Sequence, residues 1–167
     1  MNWNNNSNAS LSSVLTKLQD TANTPFEKAH PIPAEANHSV EFYKHERNKV
    51  FANEWICIGR EDEISKTGDY LTHDIAGVPV LIVRQITNEI NAFVNACAHR
   101  FTCLVSKTSG RAKAFTCPYH AWTYGLDGSL KRAPFMEMKK GFNLSDHHLK
   151  KLHIEVWEGF IYVTLAE

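Results

Sequence analysis

Apolar side chains recur with two different periods along this chain, one before about residue 54 and another after it. Leu11, Val14, Leu15 and Leu18 follow Ser10 at helical spacing, which predicts a short amphipathic helix opening at that serine. Pro25, Pro31 and Pro33 then impose an extended linker, because each ring fixes φ and removes a backbone donor. Ser39 is placed to cap a second helix, whose stripe of Val40, Tyr43, Val50, Phe51 and Trp55 predicts a face turned to the core. From Trp55 onward apolar and polar positions alternate, predicting strands over 55–59, 69–75, 78–86 and 90–95, with turns at Ala76-Gly77 and Thr87-Asn88-Glu89. Further β-prone runs cover 114–117, 121–124 and 154–165, and Asp127-Gly128 marks a hairpin between Leu126 and Leu130. Many short strands broken by turn residues predict a mainly β fold, a sandwich or barrel with one or two N-terminal helices.

At 167 residues the chain has the length of one ordinary domain and enough material for a sizeable core. Met1 to Asn8 contain five Asn and are expected to be disordered. The expected organisation is a flexible segment with a short helix over 1–38 and a folded domain over 39–167. Eighteen Lys plus Arg balance eighteen Asp plus Glu, so no net field favours nucleic acid or an anionic membrane. No apolar run reaches the roughly 20 residues of a membrane span, and the N-terminus lacks a secretory pattern, so a cytoplasmic location is expected. The charge is uneven: residues 99–151 hold ten basic and three acidic side chains. Solvated loops account for such an excess, and so does a docking face for an acidic electron donor.

The candidate chemistry overlaps that stretch. Cys97-Ala98-His99 and Cys117-Pro118-Tyr119-His120 each offer a thiolate and an imidazole, with 17 residues between His99 and Cys117. Two Cys and two His suit either one tetrahedral zinc or a 2Fe-2S cluster in which both Cys hold one iron and both His the other. Zinc fingers usually pair like with like, whereas here each loop supplies one of each. That mixed pairing is what an asymmetric two-iron cluster needs.

These residues resemble the Rieske 2Fe-2S domain, whose pattern is C-x-H, a spacer of this size, then C-x-x-H. The segment from Asn95 to Arg100 is similar to the family's N-x-C-x-H-R, and that from Cys117 to Trp122 to C-P-Y-H-G-W. The resemblance implies a Rieske-type iron-sulfur fold of stacked antiparallel sheets with cluster-binding hairpin loops. It further implies that Cys97 and Cys117 hold the redox-silent iron, and His99 and His120 the iron that changes oxidation state. Two departures stand in those loops: Phe101 and Ala121 occupy positions where the family has Gly, and strain is expected if φ is positive there.

Respiratory relatives carry a loop disulfide and a Ser near the second His; here Tyr119 and Trp122 fill the corresponding places. Cys103 therefore lacks a partner, and it and Cys57 are expected to be small buried hydrophobes. Lacking that Ser, the potential is expected near the low end of the roughly −150 to +300 mV of such centres. Residues 51–70 and Trp157 to Leu165 resemble the segments bounding the Rieske domain of the large subunit of Rieske non-haem iron oxygenases. The resemblance implies a reductase or ferredoxin as electron donor. It also implies a catalytic domain, in cis or in a neighbouring subunit, that binds a mononuclear Fe(II), and a homotrimer for the full-length subunit.

That catalytic domain's two-His, one-carboxylate triad is not found in these 167 residues. Asp146-His147-His148 with His153 imitates part of it, but at the wrong spacing, and is read as a solvated loop and strand start. His30, His38, His45 and His73 show no partner spacing. The leading expectation is the N-terminal, electron-transfer domain of a ring-hydroxylating-type mono- or dioxygenase large subunit. A stand-alone ferredoxin-like carrier and a zinc-stabilised interaction module are the alternatives.

Overall fold

A computed structural model describes residues 9–136 and 138–166; the expected disorder of residues 1–8 lies outside the described residues. The chain divides into two compact units, Met1–Asn53 and Glu54–Glu167. In the first unit, helix α1 spans Leu11–Asn23, and its Ser10 cap accepts the Ser13 N–H at 3.4 Å. Short 3-10 turns at Phe26–Lys28 and Ala34–Asn37 punctuate the proline-rich linker. Helix α2, Val40–Glu46, opens on the predicted Ser39 cap, whose Oγ accepts the Phe42 N–H at 3.2 Å. It runs straight into a π-helical turn, Arg47–Phe51.

The exposures correct the expected core-facing stripe. Val40, Tyr43, Val50, Phe51 and Trp55 are all exposed, and no residue of α2 is buried. Val40 and Tyr43 are exposed already in the α-helical part, and for Val50 and Phe51 a stripe counted at 3.6 residues per turn also loses its register once the hydrogen bonds lengthen to a π pattern.

The second unit is mainly β. Strands β1 (Ile56–Arg60), β2 (Asp69–Ile75), β3 (Val78–Arg84), β4 (Ile90–Val94), β5 (Ser109–Arg111), β9 (Lys151–Trp157) and β10 (Phe160–Thr164) make one antiparallel sheet among the described residues, in the order β1-β10-β9-β4-β3-β2-β5. A smaller sheet takes β6 (Phe115–Thr116), β7 (Thr123–Tyr124) and β8 (Leu130–Arg132). The predicted run over 154–165 is two strands, because Glu158 and Gly159 both adopt positive φ and fold Phe160 back onto Trp157. This is the two-residue turn that follows strand twist, as at Ala76-Gly77. β5 is three exposed residues with no apolar pattern, and sequence periodicity did not reveal it.

Two buried clusters lie within this unit. One gathers Ile58, Leu71, Val80, Ile82, Ile161 and Val163 from the large sheet and Ile64 from the 3-10 turn Glu61–Ile64. The other joins Leu81, Val83 and Phe93 to Phe115, Tyr124 and Leu130 of the small sheet, and encloses Cys97 and Cys117. Gln85, itself buried, donates its amide to the Leu126 carbonyl and so bonds the small sheet's hairpin to the end of β3. In that hairpin Gly128 sits at φ +77°, and a Cβ there would lie 2.5 Å from the Phe93 ring, so glycine alone fits. No helix among the described residues is long and apolar enough to cross a membrane.

Candidate metal centre

Two loops of the second unit carry the predicted donors, and both close in the same way. In the first, which follows β4, Phe101 N–H donates to the Cys97 carbonyl at 2.8 Å and Cys97 N–H to the Thr102 carbonyl at 2.9 Å. In the second, between β6 and β7, Ala121 N–H donates to the Cys117 carbonyl at 3.0 Å and Cys117 N–H to the Trp122 carbonyl at 2.8 Å. Each cysteine thus opens a tight turn whose fifth residue must be left-handed, and Phe101 (φ +57°) and Ala121 (φ +56°) both are. The strain expected at these non-glycine positions is therefore present, about 1–2 kcal/mol each. The shared turn also explains the unequal motifs: the histidine is third in one turn and fourth in the other, so the two rings approach from different loops and meet.

Asn95 holds the first loop shut. Its buried side chain donates to the Val105 carbonyl at 2.7 Å and accepts the Val105 N–H at 3.1 Å, while its own N–H bonds the Pro79 carbonyl of β3 at 2.8 Å. Tyr124, on β7 and fully buried, joins the loops: its hydroxyl accepts the Ala98 N–H at 3.0 Å and lies 3.2 Å from Cys97 Sγ. Burial and the neighbouring sulfur push the Tyr124 phenol well above its ordinary range. The hydroxyl therefore keeps its proton and has one O–H to give the sulfur.

The four predicted donors come together as two pairs, the thiols in one and the imidazoles in the other. Cys97 and Cys117 are 1% and 3% exposed, and their thiols interact. The His99 and His120 rings stand 4.8 Å apart at 65°. Burial pushes the Cys97 thiol up, and burial with the charges of His120 and Arg100 pulls the His99 imidazole down. That shift favours the neutral imidazole, the form that binds metals.

His120 Nδ1 is buried with no hydrogen-bond partner. An orphaned buried ring nitrogen is costly unless something ligates it. Among the described residues no three Cys, His, Asp or Glu side chains converge on one point as a single metal ion requires. One tetrahedral zinc would need all four donors on a single centre, whereas a two-iron cluster asks each iron for only two protein ligands. The buried thiol pair and the adjoining imidazole pair fit the second arrangement.

A family model described as Rieske [2Fe-2S] domain matches residues 54–151. The chain belongs to the Rieske [2Fe-2S] domain family. It is similar to the carnitine monooxygenase oxygenase subunit of Acinetobacter baumannii, 36% identical over 130 residues that make up 77% of this chain and 35% of the relative. The chloroplastic choline monooxygenase of Arabidopsis thaliana is 36% identical over 142 residues, covering 85% of this chain and 33% of the relative. Among solved structures, the apo form of a quaternary ammonium Rieske monooxygenase superposes with a TM-score of 0.75 at 34% identity, over 83% of this chain and 40% of the other. Naphthalene 1,2-dioxygenase from Rhodococcus sp. gives 0.82 at 27% identity, over 95% of this chain and 37% of the other. This Rieske chain spans about a third of the length of the curated relatives it matches. The stacked antiparallel sheets, the N-terminal helices and the Rieske-type 2Fe-2S cofactor expected from the sequence agree with these matches.

Two further expectations are corrected. Cys57 and Cys103 are free and exposed, not buried hydrophobes. Cys57 lies on β1 opposite Tyr162, and Cys103 sits on the loop rim, its Sγ donating to the Val105 carbonyl at 3.3 Å. His147 is not simply solvated either: it packs edge-on against Trp122 at 5.4 Å, next to the site.

Proposed function

We propose that this Rieske chain is the electron-transfer domain of an oxygenase large subunit, with Cys97, Cys117, His99 and His120 as its cluster ligands. The observation that carries the ligand set is the buried thiol pair beside two adjoining imidazoles, one with an orphaned Nδ1. When bound, the cluster supplies a one-electron couple suited to feeding a mononuclear iron that activates O2. The chain's own residues shape that couple. The two left-handed turns fix the cysteines, Asn95 closes the first loop, and the Tyr124 hydroxyl reaches Cys97 Sγ.

The electron acceptor in this reading is a catalytic domain, in cis or in a neighbouring subunit of a homotrimer. The donor is a reductase or ferredoxin whose acidic surface complements the excess of Lys and Arg over 99–151. Two exposed cysteines left as free thiols suit a reducing, cytoplasmic setting.

Anaerobic loading with iron and sulfide tests the ligand set. The loaded protein should be red-brown and, once reduced, give the low-average-g electron paramagnetic resonance (EPR) signal of a cluster with His ligands. A colourless protein holding one zinc would overturn the assignment. The coding sequence beyond codon 167 tests the oxygenase reading: an in-frame D-x-x-H-x4-H supports it, and a stop favours a separate carrier.

A further inference from the structure

The two imidazoles at the centre are held in different ways. His99 lies parallel to the buried Trp122 indole, with ring centroids 4.8 Å apart at 11°. The same indole is met edge-on by Phe142 at 5.7 Å and 67° and by His147 at 5.4 Å and 69°. Those two rings are themselves stacked, 4.7 Å apart at 17°. His120, by contrast, is covered by Tyr119 at 3.8 Å and 33°, a side chain that is itself exposed.

His147 is fixed from both sides. Its N–H closes the 3-10 turn Leu144–Asp146 by bonding the Leu144 carbonyl at 3.1 Å. Two residues later the buried Leu149 donates its N–H to the Gly128 carbonyl at 2.9 Å. Phe142 is tied by its N–H to the Lys139 carbonyl at 3.2 Å. For the His99 ring to turn, its parallel contact with the indole must break. The indole cannot follow, because Phe142 and His147 occupy its flank.

We infer that His147 and Phe142 are positioning residues that set the plane of the His99 ring through Trp122. The inference rests on the cluster assignment above, and it gives a task to the one part of Asp146-His147-His148 that the oxygenase reading left idle. Groups that orient a metal-bound imidazole typically change metal affinity by about 10–100-fold. The stack needs an aromatic ring at 147, not a titrating one.

The test compares loaded wild-type protein with His147→Ala, His147→Phe and Phe142→Leu. Reduced His147→Ala should show broadened EPR lines, because the ring samples several orientations, and should lose iron to a ferrous chelator about tenfold faster. His147→Phe should restore the narrow lines and the slow release. Phe142→Leu, which keeps an apolar side chain in place, should broaden the lines less than His147→Ala. A purely structural role predicts lower melting temperatures with line shapes and release rates unchanged, and that result overturns the inference. So does a His147→Phe protein that behaves like His147→Ala. A wild-type protein with no reduced-cluster signal would overturn the cluster assignment itself, an outcome distinct from wild-type lines that the substitutions leave untouched.

Discussion

Replacing Tyr124 by Phe removes one hydroxyl from the centre and leaves its packing in place. That hydroxyl lies 3.2 Å from Cys97 Sγ and accepts the Ala98 N–H at 3.0 Å. A hydrogen bond to a charged acceptor nets about 1.5–3 kcal/mol. The reduced centre carries one more negative charge than the oxidised one, so the O–H···S bond is stronger after reduction and raises the potential. If about a third to a half of the bond's worth is specific to the reduced form, the difference is about 1 kcal/mol. At 59 mV and 1.4 kcal/mol per tenfold change for one electron, the Tyr124→Phe potential should fall by about 40 mV. The Ala98 N–H also loses its acceptor, which costs about 1–3 kcal/mol of stability. Because the phenol is held well above its ordinary range, the offset from wild type should stay constant through neutral and mildly alkaline pH. Redox titration followed by visible circular dichroism, with urea unfolding beside it, reads both effects. An unchanged or raised potential in a correctly loaded variant would refute the donor role of the hydroxyl.

Three other outcomes are expected. Phe101→Gly and Ala121→Gly should each be neutral to stabilising by up to about 1 kcal/mol, since relief of left-handed strain outweighs the added unfolded-state entropy; chemical denaturation showing a loss of that size would contradict the strained turns. Cys57→Ser and Cys103→Ser should load iron and sulfide like wild type, whereas Cys97→Ser and Cys117→Ser should not retain an intact cluster, as iron-to-protein ratios will show. The Arg111 guanidinium, 2.6 Å from Asp69, holds that carboxyl below the usual carboxylate range and clamps β5 to β2. A lowered folded-state value means the contribution is full above pH about 3.9 and is lost as pH falls further. Asp69→Asn should thus be about 0.5–1 kcal/mol less stable at pH 7, with the gap closing towards pH 3 in urea titrations.

The cluster motif is local in sequence, and so are its consequences. Two Cys-His pairs, Asn95 before the first and the 17-residue spacer were enough to name the family and to nominate the donors. The apolar runs between turn residues likewise gave β2 with its correct ends, and β1, β3 and β4 to within two residues, although β3 buries both faces, Leu81 and Val83 in one cluster and Val80 and Ile82 in the other. Helix α2 kept its predicted cap but not its buried face, and past it a π turn alters the register that a 3.6-residue count assumes for Val50 and Phe51. Ile154 to Leu165 reads as one strand in sequence because Glu-Gly is a weaker turn signal than Asn-Gly, yet both residues take positive φ.

What the sequence could not contain was the company each donor keeps. The Tyr124 hydroxyl comes to Cys97 from 27 residues away, His147 reaches Trp122 across 25, and Cys57 and Cys103 turn outward on a strand and a loop rim. Candidate ligands follow from residue type and spacing along the chain. The tuning of those ligands depends on which side chains share a buried volume, and only the packing of the two sheets decides that.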